Sequence, residues 1–74
     1  MNAHQIHVML NTEVWEVTLN GDSERRFDTQ YEASSFARHF AYQIGGARII
    51  VHGPDGRVLE QYDIDGDEPR DTPS

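Results

Sequence analysis

The sequence predicts one small α+β domain of order β-β-α-β-β, in which a four-stranded sheet carries a single helix on one face. Three observations predict it. A segment with helical periodicity, a start signal and a stop signal occupies the middle of the 74-residue chain. Segments whose apolar residues recur at every second position flank it. A turn rich in glycine and proline then splits the C-terminal apolar stretch into two strands.

In the first strand Ile6, Val8 and Leu10 alternate with His7 and Met9; in the second Trp15, Val17 and Leu19 alternate with Val14, Glu16 and Thr18. Each therefore presents one apolar face. Asn11-Thr12-Glu13 is short enough to join them as a hairpin. Asn20-Gly21-Asp22 is a turn, and Arg25 to Phe27 leaves room for a short extended piece before the helix. Thr29-Gln30-Tyr31-Glu32 has capping-box spacing: the Thr29 hydroxyl accepts from the Glu32 amide while the Glu32 carboxylate reaches back to the Thr29 amide. Ala33, Phe36, Ala37, Phe40, Ala41 and Ile44 follow as an apolar stripe, with Ser35, Arg38, His39 and Tyr42 on the far side. Gly45-Gly46 supplies a stop that tolerates the left-handed conformation. Ala47 to His52 is a nearly continuous apolar run rich in β-branched residues, as an interior strand requires. Gly53-Pro54-Asp55-Gly56 turns the chain, and Arg57 to Tyr62 returns as the fourth strand. A right-handed crossover makes the second and third strands run in one direction and leaves their order in the sheet open.

Residues 1–62 form the expected domain and residues 63–74 an acidic tail. The chain carries 13 acidic residues and six arginines, and four units of its net charge of −7 belong to the tail. With Gly66, Pro69 and Pro73, and Ile64 as its one apolar residue, the tail lacks the groups that offset ordering entropy and is expected to be mobile. The absence of cysteine excludes disulfides and thiolate metal sites. A domain of roughly 60 residues buries only about 60% of its unfolded surface, so self-association as a homodimer is an expected reinforcement. There is no signal-peptide pattern and no run approaching the ~20 apolar residues of a membrane span. The cytoplasm is the expected compartment.

Val8, Trp15-x-Val17, Phe27-x-Thr29, Glu32-Ala33, Ala37-Arg38, Ala41, Gly45 or Gly46, and Val51-His52-Gly53-x-Asp55-Gly56-x-Val58 together resemble a small bacterial and phage family, domain of unknown function 2188. The resemblance covers about His4 to Tyr62. Its most specific parts are the Val-His-Gly-x-Asp-Gly segment and the Ala-x-x-x-Ala-Arg helix after a Phe-x-Thr cap. The Asp65-Gly66-Asp67-x-Pro69 ending is also similar to the close of many members. The resemblance implies a compact β-β-α-β-β domain and no activity. This chain departs from the usual pattern in having no lysine and in being markedly acidic.

Few residue patterns point to chemistry. His4 and His7 stand three apart at a strand entrance and point to opposite faces; His7 and His52 alternate away from the helix side and can meet on the open face of the sheet. Two histidines lack the third and fourth ligands of a stable zinc centre. Asp63-x-Asp65-x-Asp67 opens like a calcium loop, but Glu68 and Ser74 occupy the positions that need glycine and a bidentate glutamate. No nucleophile elbow, phosphate-cradling glycine loop or clustered acid/base pair is present. The sequence therefore predicts neither an enzyme nor a cofactor.

Two surfaces remain. Tyr31, Ser35, Arg38 and Tyr42 fall at i, i+4, i+7 and i+11 along the outer helix face, a composition favoured at protein interfaces. If Trp15, Val17, Ile49, Val51 and Val58 pack under the helix, then His7, Met9, Val14, Thr18, Ile50, His52 and Leu59 point the other way, leaving an open face apolar enough for self-pairing or a partner. The expected function is a small non-enzymatic module acting through contacts with an unidentified protein. Nucleic-acid binding through Arg25, Arg26, Arg38, Arg48 and Arg57 is the alternative, opposed by the net charge. The same acidity allows a phage-type inhibitor that mimics nucleic acid.

Overall fold

The computed structural model describes residues 4–65. Strand β1 (Gln5–Asn11) pairs antiparallel with β2 (Val14–Leu19) across the Thr12-Glu13 turn, where Thr12 has φ 64°. A second tight turn follows at once. Asn20 (φ 51°) and Gly21 (φ 95°) both take left-handed backbone, the geometry of a two-residue hairpin whose twist matches its strands. The Asn20 side-chain oxygen accepts from the Gln5 backbone amide at 2.9 Å and the Asn20 backbone amide donates to the Gln5 carbonyl at 2.8 Å, tying this turn to the start of β1.

That turn opens a strand where only a short extended piece was expected. β3 (Asp22–Phe27) pairs antiparallel with β2, so the sheet has five strands rather than four and the chain order is β-β-β-α-β-β. All of β3 except Phe27 is exposed, so its residues show no buried alternation. The extra reversal also changes a direction. After α1 (Gln30–Gln43), β4 (Gly46–His52) runs parallel to β1, its neighbour, and therefore antiparallel in sense to β2. The order is β3-β2-β1-β4-β5, with the helix crossing from one edge to the far side of β1.

Thr29 caps the helix by accepting from the Glu32 amide at 3.1 Å. The Glu32 carboxylate meets the Thr29 hydroxyl at 3.2 Å rather than its amide. At the other end Gly45 takes φ 88° and donates to the Tyr42 carbonyl, releasing the chain into β4. Ala33, Ala37 and Ala41 are fully buried, and Phe36, Phe40 and Ile44 pack beside them. Three alanines on one line let the helix axis settle close over Ile6, Val8, Val17 and Ile49, which supply the bulk of the core.

The last strand outruns its expected end. β5 (Val58–Asp65) pairs with β4 through Asp65, three residues beyond Tyr62, and Asp63 forms an ion pair of 3.0 Å with Arg48. Residues 66–74, the rest of the expected tail, lie outside the described residues. A bulge between Val51 and His52 resets the start of β5: Val51 faces Glu60 and His52 faces Val58, which leaves Leu59 as the extra residue. The period-two assignment of this segment is thereby corrected. Val58 belongs with His52 on the open face, and Leu59 turns toward the first turn of α1, where it shares a depression with Gln30, Tyr31 and Ser34.

Candidate functional site

The register of the sheet brings several expected residues together on its open face. His7 stands opposite Thr18 on one side and Ile50 on the other, and Met9 stands opposite Glu16. Ile50 lies outside the core cluster, so it does point away from the helix, yet it is only 6% exposed. Thr18 and Glu16 are also buried, and Val14, Met9, His7 and His52 are half-buried. A long, twisted sheet lets neighbouring side chains cover one another, so this face is drier and less available than the sequence suggests.

His7 and His52 meet here. Nδ1 of His7 lies 2.8 Å from Nε2 of His52, and the ring planes differ by 19°. The centroids are 5.1 Å apart, longer than the nitrogen separation by about two ring radii, so the rings lie edge to edge along an in-line N–H···N bond rather than face to face. The protons can be placed. His52 Nδ1 is 3.1 Å from the Gly56 carbonyl, which only accepts; His52 therefore carries its hydrogen there, its Nε2 is bare, and His7 Nδ1–H donates to it. Burial, and then the neighbouring His52 ring, pushes the pKa of His7 below its ordinary value. Lone pairs aimed along one 2.8 Å line cannot converge on an ion that needs about 2.0–2.1 Å from each nitrogen. Among the described residues no group of three or more candidate ligands gathers elsewhere.

Glu16 is the buried acid of this face. Hydrogen bonds from Ser23 and Asn11, with Arg26 nearby, hold its carboxyl below the usual range against the opposing effect of burial. It already has its partners.

The arginines are dispersed. Arg26 approaches Glu16 at 3.6 Å, Arg48 pairs with Asp63, and Arg57 lies 3.6 Å from Asp55 in the turn. Arg25 lies on the helix side, 5.5 Å from the centroids of Phe27 and Phe36. Arg38 stands by itself on the outer helix. Among the described residues no basic stripe forms, and four of five arginines are engaged within the fold.

On the outer helix face Tyr31 and Arg38 are exposed, while Tyr42 and Ser35 are half-buried. Tyr31 is the most exposed large hydrophobic at 77%, followed by Leu59 at 59% and Val58 at 53%. Tyr31 and Leu59 meet at one corner, where the first turn of α1 overhangs the start of β5, while Val58 lies on the other face of the sheet. Tyr31 and Leu59 wall a depression of about 270 Å³ that also touches Gln30, Ser34, Val51 and Glu60. That volume falls below the ~300–1,000 Å³ of small-molecule pockets and suits a single side chain. Pairing Tyr31 with Leu59 escaped sequence reasoning because it depends on the bulge, which leaves no local signature.

The model of a family described as an uncharacterised protein conserved in bacteria (DUF2188) matches residues 6–64. No curated protein and no solved structure matches the chain.

Proposed function

The chain belongs to the uncharacterised bacterial family DUF2188, and we propose that it acts there as a small non-enzymatic binding module working through protein–protein contacts. One observation carries the proposal: the two most exposed large hydrophobic side chains among the described residues, Tyr31 and Leu59, are neighbours at one corner of the fold. Exposed apolar groups scattered singly are ordinary; gathered at one place and rimmed by polar residues they favour association. The engaged arginines make nucleic acid the weaker ligand class. A photo-cross-linking side chain placed at position 31 of the full chain, in the native cell, tests the proposal. Protein adducts are expected from position 31 and not from position 39 on the exposed helix face. Adducts to nucleic acid, or no adduct above the position-39 control, would overturn it.

A further inference from the structure

β5 is an edge strand, with β4 on one side and no described strand on the other. Edge strands are templates for an added strand unless they are short, bulged away or covered, and β5 is eight residues long with its bulge confined to the start. Its chemistry is one-sided. Glu60, Asp63 and Asp65 are its charged residues, and the Glu60 carboxylate has no ion pair or hydrogen bond among the described residues.

We infer that the β5 edge takes up an extended, basic segment of a partner protein, with one lysine or arginine of that segment seated in the depression beside it. The inference rests on the binding-module reading and names the partner's chemistry. On the helix side of β5, Tyr62 and Glu60 are successive positions, since they pair with Ile49 and Val51 of the core. An antiparallel guest strand meets Tyr62 first and Glu60 two residues later. It therefore carries an apolar residue, any residue, then a lysine or arginine. The depression has the chemistry for that basic side chain: Leu59 for its methylene stem, the Tyr31 ring beside the cation, and the Glu60 carboxylate to accept from the head group.

Charge selects this occupant over the alternatives. A second copy of β5 would bring three more acids, Glu60, Asp63 and Asp65, to an edge that already carries three. The chain's own residues 66–74 bring Asp67, Glu68 and Asp71 against a single Arg70. Either would add negative charge to an edge that is already acidic.

Selection of a displayed library of random dodecapeptides on the full chain tests this. Peptides with the apolar-x-lysine/arginine pattern are expected to be enriched, and amide exchange across Leu59–Asp63 should slow when one of them is added. Glu60→Lys should weaken binding at least tenfold, and replacing the peptide's basic residue by glutamate should restore it; the amide spectrum of the variant confirms its fold. Enriched peptides that instead perturb Arg38 and Tyr42 of the helix or the open sheet face, and ignore Glu60→Lys, would overturn the edge assignment while leaving the binding module intact. No enrichment would also overturn the edge assignment, and the cross-linking at position 31 decides the wider reading separately.

Discussion

Thr12 holds φ at 64°, a region that β-branched side chains enter only at a cost, because the two-residue β1–β2 turn leaves it no alternative. Asparagine enters the same region readily. Thr12→Asn should therefore stabilise the protein by roughly 0.5–1 kcal/mol, read as a higher urea midpoint at constant slope. A second expectation concerns protons. His7 has a pKa below its ordinary 6.5 in the fold, so the unfolded chain binds protons more readily. Its contribution to stability is fully present above pH 6.5 and is lost as pH falls through the lower folded value. Unfolding free energy measured from about pH 8 down to about pH 5 should decline on the acid side, and His7→Gln should flatten that decline. Glu16 titrates in a separate window: its lowered pKa places its loss below the ordinary 4.5. The meeting of His7 with His52 was legible in the sequence, since alternation alone places both on the open face. The proton order was not, because it depends on where the Gly56 carbonyl falls.

Among the elements, the helix was the most legible and β3 the least. Cap, stripe and stop of α1 are local signals, and local hydrogen bonds realise them. The packed line of Ala33, Ala37 and Ala41 sets a close helix–sheet distance, so enlarging its middle member should be costly. Ala37→Leu is expected to destabilise by about 1–3 kcal/mol through overpacking, whereas Gln43→Leu at an exposed helix position should be nearly neutral. Equal effects on thermal unfolding would show that the helix does not rest on its alanines. β3 escaped notice because an exposed, charged edge strand has no apolar alternation to read. Its signal lay in the turn instead: Asn20-Gly21 is the residue pair a tight hairpin prefers, and a hairpin needs a strand on each side. The bulge in β5 had no such marker, and with it went the correct facing of Val58 and Leu59.

At the scale of the whole molecule, the open sheet face and the β5 corner exchange their expected standing. Ile50, one of the residues the sequence places on a self-pairing face, is nearly as buried as the core. Ile50→Glu is therefore expected to destabilise the protomer itself by several kcal/mol, since it puts an unpaired charge among covered side chains. Circular dichroism that stays native for this variant would show the face to be open after all. The fold class, the helix-covered side of the sheet and most of the core were legible because they follow from periodicity; strand count, strand direction and the exposed corner depend on turns and register.

The central parallel pair also shapes how the chain reaches this structure. β1 with β2, β2 with β3, and β4 with β5 are each closed by a short turn, but Ile6 meets Ile49 only after the whole helix-bearing segment has been drawn in. Two local ribbons can form early on either side of a seam whose closure spans the longest loop and so carries the largest loop-closure entropy of the sheet. Ile49→Val on that seam should slow refolding in a stopped-flow experiment, while Phe27→Ala at the far edge should mainly speed unfolding.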